Sequence, residues 1–187
     1  MVIGGDFVSD ERGLDTNPPS HDQTTAAAPR KLKGFFGAYN HSVDAKGRMI
    51  VPQIFRERLG DEIVIGLNMA QNSIAIYPYE IWEKKVELLT RLRDQDARAE
   101  KFLDRFARFS FDNVAFDSQG RVLLPAALRE MYLKEATGVQ VSGANDYVKV
   151  VSNQQAAAET QNFNEEHPDV LSEISRIQEG LRSRMNT

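Results

Sequence analysis

Cysteine is absent from this chain of 187 residues. That excludes a disulfide framework, thiol catalysis and thiolate metal sites. Histidine is scarce: His21, His41 and His167 are the whole complement, and no two stand at metal-ligand spacing. Ser42 and Asp44 follow His41, but on one strand they would share a face with His41 on the other, so they do not read as a hydrolytic triad. A Walker loop, a GxGxxG after a strand and an HExxH are all missing. No apolar run approaches membrane-spanning length, and the extreme N-terminus lacks the basic start and apolar stretch of a secretory signal. A basic excess is missing as well. The net charge is −4, and residues 34–155 hold 16 Lys and Arg against 16 Asp and Glu. These absences argue against an enzyme, a cofactor or metal carrier, a small-molecule site and a membrane span.

What is present is a repeat. Residues 44–57 carry Asp44, Gly47, Arg48, Pro52, Arg56 and Glu57, and residues 117–130 carry Asp117, Gly120, Arg121, Pro125, Arg129 and Glu130, all at one offset of 73. An internal repeat means that one structural unit is used twice. Each copy can be read physically. An alternating stretch (39–43 or 113–116) suits a strand. Gly47 and Gly120 then supply the positive φ of a tight turn, in which Asp44 and Asp117 can accept backbone N–H bonds. A second strand follows (48–51 or 121–124), ended by Pro52 or Pro125, which opens a short helix. Phe55 and Leu59 share one face of the first helix, Leu128 and Tyr132 one face of the second, and Gly60 fits a helix stop. Two more strands complete each copy (62–65 and 73–77; 138–141 and 147–151).

A unit of roughly 45 residues is below the size that usually folds alone, so the two copies are expected to share one core. The expected class is α+β, mainly β. The expected segments are a disordered arm over 1–33, a first repeat over 38–85, a connecting helix over 86–110, a second repeat over 111–154 and a polar, partly helical tail over 155–187. Between the copies, Ile81, Trp82, Val86 and Leu89 recur at helical spacing, and Phe102, Phe106 and Phe109 continue the pattern, which reads as packing. In the tail, Val170, Leu171, Ile174, Ile177 and Leu181 fall on one helix face, which could pack on the domain or on a neighbouring subunit.

The candidate binding residues are arginines. Lys46 and Arg48 flank Gly47 on one tight loop, whereas the second copy has Gln119 in place of the lysine, so Arg121 ranks below Arg48. Arg suits phosphates and guanine edges, because its planar fork donates two hydrogen bonds at once. The alternative is that each Arg pairs with its own Asp and pins the hairpin, and both can hold together. Arg30, Lys31 and Lys33 form a further basic cluster, read as a solvated linker.

Asp44-x-x-Gly47-Arg48 with Pro52 and Arg56, repeated from Asp117 to Arg129, resembles the MraZ family of bacterial transcriptional regulators. Phe35-x-Gly37 and Tyr77-Pro78-x-x-x-Trp82 fit the same pattern, over about residues 34–155. The halves are similar to the swapped-hairpin DNA-binding fold of the AbrB superfamily. The resemblance implies two tandem AbrB-like (double-split β-α-β) units, a ring-like homo-oligomer and a cytoplasmic, nucleoid-associated protein. It also implies binding of double-stranded DNA at short direct repeats in the promoter of the cell-division and cell-wall gene cluster, with Lys46, Gly47 and Arg48 as the contacting loop. Two features depart from the family pattern: the 33-residue arm, and the absence of a Trp82 counterpart after the second repeat.

Overall fold

The computed structural model describes residues 34–134 and 136–185. The arm over 1–33, with His21 and the Arg30, Lys31 and Lys33 cluster, lies outside the described residues. The first copy supplies β1 (Ala38–Ser42), β2 (Arg48–Ile50), α1 (Gln53–Leu59), β3 (Ile63–Leu67) and β4 (Ile74–Pro78). Two helices, α2 (Tyr79–Arg93) and α3 (Ala97–Arg108), lead to the second copy. That copy supplies β5 (Phe111–Val114), β6 (Arg121–Leu123), α4 (Ala126–Leu128), a π-helical turn (Arg129–Leu133), β7 (Gly138–Gly143) and β8 (Val148–Ser152). Helices α5 (Asn153–Glu166) and α6 (Val170–Met185) follow. The fold is α+β with antiparallel pairing throughout.

The copies are exchanged rather than placed side by side. The main sheet runs β1-β7-β8-β4-β3-β5. Each copy's last two strands form a hairpin, and the hairpins meet at β4 and β8. The first strand of each copy leaves its own hairpin for the other's: β1 pairs with β7, and β5 with β3. The second strands, β2 and β6, pair with each other in a separate two-stranded ribbon. The arrangement reads the same from either end, as a repeat folded about an internal two-fold would.

The core follows from this exchange. Strands β3 and β4 are buried along their whole length, which explains their continuous apolar runs. Phe55, Leu59, Leu128, Leu133, Met49 and Val122 join them in one cluster drawn from both copies. Phe106 of α3 is fully buried, and Trp82, Phe102 and Phe109 pack against the cluster, as their spacing predicts. The indole N–H of Trp82 donates to Ser110 Oγ at 2.9 Å.

One sequence expectation holds only in part, since Tyr132 packs against the core without being sealed in it. Leu128 is buried, but its buried partner is Leu133 and not Tyr132, which is only half-buried. The cause is the π-helical turn, closed by Lys134 N–H donating to the Arg129 carbonyl at 2.8 Å. One extra residue in the turn moves the inward position along by one. Tyr132 instead donates its hydroxyl to the Gln71 carbonyl at 2.8 Å. Pro52 and Pro125 also stand one place earlier than expected, as N-caps rather than first helical residues.

The start of the described chain is clamped. Phe35 is buried, its N–H donates to the Asn145 carbonyl at 2.7 Å, and Gly143 N–H donates to the Gly37 carbonyl at 2.8 Å. A Cβ on Gly143 would fall on the Phe35 carbonyl and the Phe36 nitrogen, which are backbone atoms and cannot swing aside. Gly143→Ala is therefore expected to cost about 1–3 kcal/mol, the usual range for overpacking. Urea unfolding would measure that loss, and amide exchange should quicken selectively over residues 35–38.

Candidate nucleic-acid interface

Each turn between the first and second strands of a copy is built around its aspartate. Asp44 Oδ1 accepts the backbone N–H groups of Lys46 and Arg48, both at 2.9 Å. Its Oδ2 accepts Nε and Nη2 of Arg48 at 2.8 and 2.7 Å. Asp117 does the same for Gln119 and Arg121. Gly47 N–H closes the turn on the Asp44 carbonyl at 2.8 Å, and Gly47 and Gly120 sit at φ 82° and 73°. Of the five N–H donors of each guanidinium, the aspartate takes two, so three remain for another ligand. The pinned-hairpin reading of Arg48 and Arg121 is thus the observed geometry, and it leaves donors over.

The same contacts set the charge state. The Arg48 backbone N–H, and then its guanidinium, hold Asp44 at a pKa of about 2 against an ordinary 3.8. The Arg121 guanidinium, and then its backbone N–H, lower Asp117.

The two turns interlock through the ribbon. Arg48 stands opposite Leu123, Met49 opposite Val122, and Ile50 opposite Arg121. Met49 and Val122 point inward and are buried. Alternation along a strand then puts Arg48, Ile50, Arg121 and Leu123 on the outer face. Ile50 is 46% exposed and Leu123 54%, unusual values for aliphatic residues centred on a ribbon. Val51 N–H donates to the Gly120 carbonyl at 3.1 Å and Leu124 N–H to the Gly47 carbonyl at 3.0 Å, which ties each turn to the opposite copy.

A second pair of arginines completes the surface. The Arg129 guanidinium covers Gly47, and a Cβ there would lie 2.5 Å from its Cζ. Arg56 covers Gly120 with the same 2.5 Å spacing. Arg56 Nε donates to the Val51 carbonyl and Arg129 Nε to the Leu124 carbonyl, both at 3.1 Å. Each turn therefore carries its own Arg and the other copy's. Among the described residues, Lys46, Arg56 and Arg129 make no ion pair, so the turns and the arginines lying on them hold five cations against two carboxylates.

Asp44 is committed to its turn, and Ser42 at the end of β1 is exposed, so no triad forms around His41. Among the described residues no group of three or more His, Asp or Glu is placed to hold a metal, and no helix is long and apolar enough to cross a membrane.

Comparison with known proteins agrees with the motif. The family described as "MraZ protein, putative antitoxin-like" matches residues 35–105. The chain is 34% identical to a protein named transcriptional regulator MraZ from Leuconostoc mesenteroides over 149 residues, covering 79% of this chain and 96% of that one. A protein of the same name from Alkaliphilus oremlandii is 38% identical, over 64% of this chain and 81% of its own. Another, from Moorella thermoacetica, is 40% identical over 63% and 80%. The chain belongs to the MraZ family.

Within the family motif, the structure brings together Asp44, Lys46, Gly47 and Arg48 on one turn, and Asp117, Gly120 and Arg121 on the other. Pro52 and Pro125 stand just beyond the ribbon and serve the helices. Sequence reading passed over Arg56 and Arg129 as site residues. Their signal was available, since both recur at the motif offset, but nothing in sequence spacing says that each lies over the other copy's glycine.

The lowered carboxylates predict a pH dependence. A group whose folded pKa is depressed stabilises above its unfolded pKa and loses that contribution as pH falls through the folded value. The Asp44 turn should hold down to about pH 4 and lose its ion pair as pH falls toward about 2. The Asp44 carboxyl carbon should titrate by NMR with a midpoint near 2, and Asp44→Asn should remove that part of the acid dependence of unfolding.

Proposed function

We propose that this chain is a DNA-binding transcriptional regulator that reads double-stranded DNA with the β2-β6 ribbon and its turns. The observation that carries the reading is the surplus of cations there: Lys46, Arg48, Arg121 and the two arginines laid over the glycines, with both carboxylates already occupied. The names of the relatives support the same role. Lys46, Gly47 and Arg48 form the principal contact. Arg121 acts second, because Gln119 leaves its turn less charged. Phosphates take Lys46 and the free edges of Arg56 and Arg129, while Arg48 combines phosphate and base contacts.

The finer reading follows the family resemblance. The two copies are AbrB-like units over about 38–85 and 111–154, joined through 86–110, and the protein assembles as a ring-like homo-oligomer. It acts in the cytoplasm, on the nucleoid, at direct repeats in the promoter of the division and cell-wall gene cluster, without cofactor, metal or substrate. Multivalency has a physical basis. Residues 34–155 are charge-balanced, so one copy gains little from phosphate neutralisation. Several ribbons held at repeat spacing gain affinity through effective concentration.

A second reading is a protein–protein scaffold or antitoxin-like interaction module, in which the ribbon faces protein. It is favoured by the exposure of Ile50 and Leu123 beside the arginines.

Gel-shift binding to the DNA upstream of the gene, over a salt series, separates the two. Wild-type protein should bind specifically and lose affinity with salt, by about 0.9 in logarithmic slope per phosphate contact. Arg48→Ala should abolish specific binding with the sheet and assembly unchanged. Arg48→Lys should keep salt-sensitive binding and lose preference, because Lys lacks the bidentate fork. Equal affinity for operator and random DNA would overturn the regulator reading, as would retained preference in a folded Arg48→Ala protein.

A further inference from the structure

Among the described residues, none lies over the apolar seam of the last helix. In α6, Val170, Ile174, Ile177 and Leu181 recur at intervals of four, three and four residues, the spacing of a two-stranded coiled-coil seam. Leu171 borders the seam at 75% exposure, and Ile177 is 62% exposed. Every residue from Ile174 to Arg184 is exposed, and the hydrophobic cluster with the residues packed on it contains none from α6. A helix of 16 residues is close to the length at which isolated helices are marginal in water. Gly180 lies inside it with open space around its Cα, a residue that weakens a solvated helix further. The described residues leave the seam uncovered, so what steadies the helix lies outside them.

The charges say which cover. The helix opens with Asp169 and Glu173, the latter paired with His167, carries Arg176 and Glu179 at its middle, and ends with Arg182 and Arg184. Laid antiparallel on itself with its seam in register, the helix sets Asp169 level with Arg182 of the other copy. A parallel pair would set like beside like. The seam is also symmetric about its own centre: antiparallel pairing places Ile174 beside Ile177 and Val170 beside Leu181 of the second copy.

We propose that α6 pairs antiparallel with α6 of a second copy of this chain. The contact is isologous, the same patch on both copies, so it cannot by itself propagate around a ring. It is a contact separate from the DNA-reading ribbon and independent of that reading.

The absence of native cysteine gives a clean test. Full-length Val170→Cys and Leu181→Cys proteins would be oxidised separately and as a mixture. Antiparallel pairing predicts a disulfide between the two variants in the mixture, at least tenfold above either protein alone. Homodisulfides in the separate proteins would mean parallel pairing and overturn the proposal, and so would no disulfide in any sample. In a second arm, Ile174→Asp with Ile177→Asp should lower the particle mass by light scattering at least twofold, with the thermal unfolding of the sheet unchanged. An unchanged mass would overturn the pairing even if DNA binding held, and loss of DNA binding with the mass lowered would leave it standing.

Discussion

The pairing of β2 with β6 is the constraint on which the rest of the molecule depends. Each copy is too small to enclose a core, and each sends its first strand to the other's hairpin. The chain can make that exchange only if the two second strands cross at one place, where their inner residues, Met49 and Val122, are sealed. The repeated residues are what such a crossing requires. An aspartate caps the turn, and a glycine adopts positive φ. The same glycine lacks the Cβ that would strike the other copy's guanidinium, so Gly47 and Gly120 satisfy two demands at once. A proline ends the ribbon strand and caps the helix that carries the arginine back across.

That crossing also explains why the cationic surface is rigid. An arginine on an open loop must give up side-chain freedom before it can hold a ligand. Arg48 and Arg121 have already lost it to Asp44 and Asp117, and Arg56 and Arg129 to the carbonyls of Val51 and Leu124. Their remaining N–H groups stand in place before any partner arrives. The aspartates reduce the net charge, yet as ligands of arginine they convert long side chains into fixed donors. The two turns are geometrically alike and chemically unlike: Lys46 has Gln119 as its counterpart, which leaves the Asp44 turn as the more cationic end.

Much of this was legible in the sequence because the repeat could be read twice. The turn glycines, the capping aspartates and the two prolines each appear in both copies, and a local geometry demanded twice is hard to misread. The strands expected over 62–65 and 73–77 form over Ile63–Leu67 and Ile74–Pro78. What stayed hidden was non-local. Spacing along one chain cannot reveal that Arg129 lies over Gly47, because that contact is made across the exchange. Nor could periodicity show that Leu133 is sealed while Tyr132 packs only half-buried on the core, since a π-helical turn breaks the 3.6-residue count. Helix α5 beginning at Asn153 was obscured by its polar sequence; Ser152, whose hydroxyl accepts the Gln155 N–H at 3.1 Å, marks its start.

The size of the ribbon bears on how the proposed reading could work. Strands β2 and β6 have three residues each, and at about 3.3 Å per residue they span roughly 10 Å. Phosphates on one strand of DNA recur about every 3.4 Å along the axis, so the paired strands, taken without their turns, cover about three base pairs. So short a footprint cannot define a site among the very many a genome offers. Enlarging the ribbon is not open to this fold, because its strands end at Pro52 and Pro125, where the helices carrying Arg56 and Arg129 must begin. On the proposed reading, specificity would come from repetition of the reading unit across copies, and the spacing between copies would become part of the information read. A protein built this way would discriminate between operators by the interval between short motifs as much as by the bases within each.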